Sequence, residues 1–225
     1  MAPLARSAFP DPNLAPAEGL VAYGGDVGPE RLIDAYSHGI FPWFNDDDEP
    51  VLWWSPDPRA VMAPGDLRIS RSLAKRLRSD RFRVTVDEAF ADVTAACAQP
   101  RQSSPGTWIT PRMRAGYLAL HEMGLAHSVE TWCEDELAGG LYGVSLGRMF
   151  FGESMFTRVS DASKVALAHL AHQLDAWGFT LIDCQLPNEH LATLGVREIP
   201  RRDFLALVRA NNAEASRRGR WTFDR

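Results

Sequence analysis

Gly139-Gly140-Leu141-Tyr142-Gly143-Val144, Phe151-Gly152-Glu153-Ser154-Met155-Phe156 and Leu181-Ile182-Asp183-Cys184-Gln185 decide the fold class, because they read as strands that are apolar almost throughout. Such strands are expected to face a core on both sides, where an ionisable group costs several kcal/mol unless it has a partner or a task. Glu153, Asp183 and Gln185 therefore stand out. Spacing alone leaves two readings open, an internal hydrogen-bond network that fixes the core or a functional site.

Working outward, the pattern predicts strands over 82–86, 126–133, 136–146, 148–156 and 179–185. Helices are predicted over 29–38, 71–78, 87–98, 111–123, 162–177 and 203–215, with Asp87 as an N-cap. Asp135 and Gly147 separate consecutive strands and predict antiparallel hairpins. Strands with helices set between them place the chain in the α+β class. Residues 1–57, rich in Pro, Gly and Trp, fit a small irregular domain. The 99–105 stretch reads as a flexible loop, and Asn45-Asp46-Asp47-Asp48-Glu49-Pro50 as a solvated one.

A chain of 225 residues that is 45% hydrophobic can bury one substantial core, with or without a small appended domain. No run of eighteen apolar residues is present, and Met1-Ala2-Pro3-Leu4-Ala5-Arg6 lacks the apolar core of a signal peptide, so a soluble cytoplasmic protein is expected. Cys97, Cys133 and Cys184 form no Cys-x-x-Cys pair, which suggests neither a disulfide framework nor a zinc site. Strand alternation puts Cys184 on the opposite face from Asp183 and Gln185, as core packing. The histidines at 121, 127, 169, 172 and 190 show no metal-binding pattern, and no metal site is assigned. Gly152-Glu153-Ser154-Met155-Phe156 lacks the final Gly of a nucleophile elbow, which argues against a serine hydrolase.

The net charge of −5 argues against nucleic acid until its distribution is considered. Arg68, Arg71, Lys75, Arg76, Arg78, Arg81 and Arg83 are opposed by Asp80 alone across 67–83, giving that segment +6. Residues 197–225 carry +4. A solvated helix face is the plain reading of the first cluster, and a track for phosphates is the functional one.

Further blocks then follow in a fixed order. They are Tyr23-Gly24-Gly25-Asp26, Gly39-Ile40-Phe41-Pro42-Trp43-Phe44, Trp53-Trp54-Ser55-Pro56-Asp57-Pro58-Arg59, Gly106-Thr107-Trp108-Ile109-Thr110, Ala126-His127-Ser128-Val129-Glu130, Ala162-Ser163-Lys164 and Glu198-Ile199-Pro200-Arg201-Arg202. Taken with the three opening stretches, the chain resembles the leucyl/phenylalanyl-tRNA-protein transferases from about Tyr23 to Arg202. That resemblance implies a division near Pro56, with 58–225 an acyltransferase-like catalytic domain resembling the N-acetyltransferase fold. It implies transfer of Leu or Phe, with Met left open, from aminoacyl-tRNA to proteins that begin with Arg or Lys, marking them for degradation by the N-end rule. Because the ester donor is already activated, no cofactor is implied.

Residue by residue, the resemblance makes Asp183 and Gln185 catalytic, the Gln amide oxygen drawing a proton from the amine and the carboxylate polarising the Gln. It places Glu153, Asn188, Trp43, Trp108 and Tyr117 in substrate binding, and makes Leu141, Phe150 and Leu170 the aminoacyl side-chain pocket. It gives Arg71, Lys75 and Arg78 to tRNA phosphates, whereas the next basic family position holds Ser79 here. Without the resemblance the plain readings stand: Glu153 paired with Arg158 or Lys164, Asn188 a turn residue, and the pocket residues and remaining tryptophans ordinary core. Two other functions compete. An acyl-CoA-dependent N-acyltransferase is opposed by the lack of any Gly with Arg or Gln three residues before it, and a non-catalytic tRNA or N-terminus adaptor is opposed by the intact Asp183 and Gln185.

Overall fold

The computed structural model describes residues 9–100 and 107–224, so Met1–Arg6 and most of the expected 99–105 loop lie outside the described residues. The strands, in chain order, are β1 (Leu20–Tyr23), β2 (Phe41–Pro42), β3 (Leu52–Trp54), β4 (Arg59–Met62), β5 (Arg83–Val86), β6 (Ala126–Cys133), β7 (Glu136–Leu146), β8 (Met149–Thr157), β9 (Leu181–Gln185) and β10 (Arg197–Ile199). The helices are α1 (Pro29–Ser37), α2 (Arg71–Leu77), α3 (Phe90–Cys97), α4 (Pro111–Glu122), α5 (Ala162–Ala176), α6 (Glu189–Thr193) and α7 (Arg201–Asn211). No described helix is long and apolar enough to cross a membrane.

Two sheets result. A three-stranded antiparallel sheet has the order β1-β3-β2, and a seven-stranded sheet has the order β10-β4-β9-β8-β7-β6-β5. Among the described residues only β8 and β9 pair in parallel, and α5 is the crossover between them. The opening stretch forms the centre of the large sheet, and its glycines have a packing reason. A Cβ on Gly139 would stand 2.6 Å from the Cβ of Ala162 in the first turn of α5, and one on Gly143 would stand 2.3 Å from the carbonyl oxygen of Phe151. Removing the side chains lets the helix and the neighbouring strand close on β7.

Both faces of the sheet are buried, as the continuous apolar runs require. On one side Tyr142 and Phe151 join Tyr36, Phe41, Trp53, Phe90, Tyr117 and Phe204. On the other, Leu141 and Phe150 join Leu167, Leu170, Phe179, Ile182 and Trp221. The first cluster draws on residues from both sides of Pro56. Arg201 at the start of α7 ties the N-terminal segment down, donating to the carbonyls of Ala15, Pro16 and Ser55.

Several expectations need correction. Residues 1–57 are less irregular than composition suggests, since β1, β2 and β3 form a sheet whose strands have two to four residues, too short to show a period. The strands β4 and β10 and the helix α6 were equally invisible. Asp87 does not cap α3. It has φ +57°, and its carboxylate accepts from the backbone amides of Ser128 and Trp221 and pairs with His127 Nδ1. Glu130 of β6 serves the helix start instead, accepting from the amides of Glu88 and Ala89. The acidic 45–50 loop is not wholly solvated, because Asp47 accepts from the Arg112 amide in the first turn of α4 at 3.1 Å.

Candidate active site

The parallel pairing of β8 with β9 ends at Phe151↔Asp183, although β8 runs on to Thr157 and β9 to Gln185. Each strand bulges just beyond that point. Glu153 is the extra residue where Tyr142 faces Ser154 and Gly143 faces Gly152, and Cys184 is the extra residue where Ala60 faces Gln185 and Val61 faces Asp183. Bulges of this kind re-aim side chains and part neighbouring strands. A cavity of about 440 Å³ lies at the split, beyond the carboxyl ends of the parallel pair. Its walls include Met62, Leu141, Phe150, Leu167, Leu170 and Ile182, together with Trp108, Glu153, Gln185 and Asn188.

Asp183 is fully buried and held by Arg59, whose Nε and Nη2 lie 2.8 and 2.6 Å from its two carboxylate oxygens. The guanidinium packs against the rings of Phe41 and Phe204 at 4.8 and 4.4 Å. Asp183 Oδ1 also accepts from the backbone amide of Gln185 at 2.9 Å. Here the expected side-chain pair of Asp183 and Gln185 is corrected. Gln185 has φ +63°, in the left-handed region, so strand alternation fails after Cys184. The Gln185 side chain turns to Glu153 instead, with Nε2 donating to Oε1 at 2.8 Å. For the same reason Cys184 and Gln185 both line the cavity rather than opposite faces. Burial, with the Asp183 charge adding to it, pushes the Cys184 thiol up to about 12.

Glu153 has no cationic partner among the described residues; Arg158 bonds the Leu137 carbonyl and Lys164 pairs with Asp161. Its oxygens meet Tyr36 Oη at 2.8 Å and Tyr117 Oη at 2.5 Å. Burial pushes its carboxyl up to about 7. The bonds from Tyr117 and Tyr36 oppose that rise, the Asp183 charge adds to it, and the Gln185 bond also opposes it. Both phenols are raised well above their ordinary value, first by burial and then by the Glu153 charge.

Of the residues expected at the site, Trp108, Leu141, Phe150, Glu153, Leu170, Gln185 and Asn188 line the cavity, whereas Trp43, Tyr117 and Asp183 do not. Tyr117 is fully buried behind Glu153, and Trp43 is 40% exposed at the end of β2. Asn188 caps α6 by accepting from the Leu191 amide at 2.8 Å. Arg71, Lys75 and Arg78 project from α2 as exposed side chains, and none of the three forms an ion pair among the described residues. No described set of three His, Cys, Asp or Glu side chains is gathered for a metal ion.

Two participants were missed from sequence. Tyr36 sits at helical spacing with Leu32 and Ala35, so it read as core. Arg59 was legible in principle, since it opens the apolar run Arg59-Ala60-Val61-Met62 just as Asp183 interrupts another.

The family described as leucyl/phenylalanyl-tRNA protein transferase matches residues 61–209, and the N-terminal domain of that family matches residues 25–57. The leucyl/phenylalanyl-tRNA–protein transferase of Nitrosospira multiformis is 58% identical over 206 residues, covering 92% of this chain and 88% of its own. That of Nitrosomonas europaea is 55% identical over 222 residues, covering 99% and 92%. Among solved structures, a GCN5-related N-acetyltransferase from Kribbella flavida aligns with TM-score 0.38 at 15% identity, over 77% of this chain and 61% of that one. At 55 to 58% identity over nearly its whole length, the chain belongs to the leucyl/phenylalanyl-tRNA protein transferase family.

Proposed function

We propose that this protein moves Leu or Phe, with Met left open, from the 3′ ester of an aminoacyl-tRNA to the α-amine of proteins that begin with Arg or Lys, marking them in the cytoplasm for degradation. The observation that carries this reading is the meeting of an apolar cavity with a compact polar group where β8 and β9 part. The walls from Leu141, Phe150 and Leu170 are apolar and suit an apolar aminoacyl side chain such as Leu or Phe. The names of the relatives support the donor and the class of acceptor.

An aminoacyl ester needs no further activation, so the enzyme's task is to hold ester and amine together and to manage charge and protons. With Gln185 Nε2 committed to the Glu153 carboxylate, the amide oxygen is left to accept from the acceptor amine. Asp183 acts at one remove: its carboxylate, neutralised by Arg59, pins the Gln185 amide and so the left-handed turn that aims the side chain. Glu153 and Asn188 receive the acceptor N-terminus, Tyr117 supports Glu153 from behind, and Trp108 and Trp43 serve the terminal adenosine and aminoacyl end. Arg71, Lys75 and Arg78 meet tRNA phosphates on the wet face of α2. A division of the chain near Pro56 is part of the same reading, supported by two sheets that share no strand.

The test is transfer of label from leucyl-tRNA and phenylalanyl-tRNA to peptides beginning with Arg, Lys or Ala, for wild type and Gln185→Ala. Label should reach the Arg and Lys peptides alone, at a rate lowered at least ~100-fold in the variant. Tight, salt-sensitive tRNA binding with no transfer would sink the reading in favour of an adaptor.

A further inference from the structure

Three side chains close a ring beside Gln185. Tyr36 Oη lies 2.8 Å from Glu153 Oε1, Tyr117 Oη lies 2.5 Å from Glu153 Oε2, and the two phenol oxygens lie 2.9 Å from each other. Each of the three edges needs one proton to be a hydrogen bond. The tyrosines supply two. An ionised Glu153 therefore leaves one edge with lone pair facing lone pair, whereas a protonated Glu153 fills all three head to tail. Gln185 pulls the other way, since its Nε2 donates most strongly to a carboxylate. The acid with its proton on Oε2 satisfies every contact, since Oε1 then accepts from both Tyr36 and Gln185. The anion leaves one ring edge unfilled but binds the Gln185 amide more strongly, so the geometry divides the preference between acid and anion.

The groups that face Glu153 come from every element packed on it: Tyr36 from α1, Tyr117 from α4, Tyr142 from β7, and Gln185 and Asp183 from β9. Arg59 on β4 is bound to Asp183, and no cation pairs with Glu153 among the described residues. Because Glu153 lines the cavity, its carboxyl is also the ionisable group that a bound amine meets beside the Gln185 amide. An amide oxygen is a far weaker base than a carboxylate, so Gln185 can accept a hydrogen bond from the amine but cannot keep its proton.

Resting on the transferase reading above, we propose that Glu153 is the catalytic residue that carries the proton during aminoacyl transfer, with Tyr36 and Tyr117 as positioning residues that hold it ready. The neutral amine forms the C–N bond to the ester carbonyl carbon, and its proton passes to the Glu153 carboxylate. As the tetrahedral intermediate collapses and the acyl carbon–oxygen bond to the ribose breaks, Glu153 returns that proton to the departing 3′ oxygen. No proton is gained or lost overall, and no electrons are transferred. The ring closes while Glu153 holds the proton and reopens when it lets go. Burial that raises the carboxyl to about 7 suits a group that must do both near neutral pH.

The experiment has two readouts. Single-turnover transfer from phenylalanyl-tRNA to an Arg-starting peptide is followed from pH 5.5 to 8.5, and the side-chain carboxyl of Glu153 is titrated by carbon NMR in the same protein. Log rate for wild-type transfer should fall with a slope of one below the peptide amine's pKa of about 8 and steepen to a slope of two below a pH that matches the NMR midpoint of Glu153. Glu153→Gln, which closes the ring permanently as the protonated acid does, should lower the rate at pH 8 by about 10²–10⁴-fold and leave only the slope of one that titration of the peptide amine imposes. In Tyr36→Phe/Tyr117→Phe the carboxylate loses two charge-assisted bonds, a larger loss than the neutral edges forfeited by the acid. The NMR midpoint and the pH at which the slope steepens should then rise together by about one pH unit; Tyr36→Phe alone checks that the fold is kept. Glu153→Gln that retains the wild-type maximal rate and raises only the acceptor KM overturns the proposal and leaves Glu153 as an acceptor-binding group. An unmoved midpoint in the double variant overturns the role of the tyrosines. Wild type that transfers nothing at any pH, with a normal NMR titration, instead overturns the transferase reading.

Discussion

Asp183 and Glu153 are two carboxylates on adjacent strands, both buried, and their surroundings give them opposite properties. Asp183 faces a guanidinium squarely, with both oxygens bonded to Arg59 and one also to the Gln185 amide. Glu153 faces only neutral donors, the hydroxyls of Tyr36 and Tyr117 and the amide of Gln185. A paired and desolvated charge cannot change protonation state without leaving its partner uncompensated, so it makes a dependable bracket. A carboxyl among neutral donors can change state at moderate cost. Site chemistry is thereby divided between a fixed charge that shapes the backbone and a mobile proton at the cavity wall.

The comparison breaks most visibly at Asp183. Asp183→Ala leaves Arg59 buried and unpaired, which costs about 3–5 kcal/mol. For a chain of this size, that corresponds to a melting temperature lower by roughly 10 °C or more by calorimetry. Transfer should fall as well, but the fall alone does not assign Asp183 to the chemistry. Removing both partners in Arg59→Met/Asp183→Leu should recover most of the stability while transfer stays low, because Gln185 has lost the acceptor for its amide. A single variant that melts like wild type would dissolve the distinction between bracket and proton carrier.

Glu153 supplies the next largest effect, with a definite sign. Its carboxyl is raised from 4.5 to about 7 by folding. Below pH 4.5 it is protonated in folded and unfolded chains alike and nothing is lost. Between pH 4.5 and 7 unfolding releases its proton, so stability declines as pH rises, and above 7 the full penalty of about 3 kcal/mol applies. Glu153→Gln removes the titration. The stability of the variant relative to wild type, measured by urea unfolding, should therefore improve by up to about 3 kcal/mol between pH 4.5 and pH 8. A difference that is the same at both pH values would place Glu153 among ordinary carboxylates.

These two residues also mark how far the sequence could be read. Polar groups in apolar strands pointed to Glu153, Asp183 and Gln185, and the long strands and helices were legible because their periods are complete. The partnership within the site was not. It depends on bulges at Glu153 and Cys184 and on a left-handed Gln185, and a one-residue register shift leaves no periodic trace. Tyr36 was hidden by its own helix, where a tyrosine at an apolar position is ordinarily core. Arg59 belongs to a strand of four residues, too short to show that its charge is buried.

Gln185 sharpens the comparison from the side of the backbone. A non-glycine residue at φ +63° carries about 1 kcal/mol of strain, which the Asp183 bond holds in place. Gln185→Gly relieves that strain and also loosens the unfolded chain, so stability should change by no more than about 1 kcal/mol in denaturant titrations. Transfer should nevertheless collapse, since the amide is gone. A large destabilisation would show that Gln185 belongs with the bracket rather than with the proton-carrying group.

Charge that stays wet gives the smallest change in stability and extends the comparison to the cations. Arg59 is sealed between two rings and a carboxylate, whereas Arg71, Lys75 and Arg78 stand exposed on α2, spaced by four and then three residues and so on one face of the helix. Replacing all three with Ala removes no buried side chain and leaves the Ser70 cap of α2 intact, so stability should stay within about 0.5 kcal/mol of wild type. What changes is the response to salt. Every phosphate that is no longer neutralised flattens the dependence of log affinity on log salt by about 0.7–0.9, so the triple variant should show a slope shallower by roughly two units, with little change in the maximal transfer rate at saturating tRNA. An unchanged slope would move the phosphate track away from α2, and the cations at Arg217, Arg218 and Arg220 would be the next to replace.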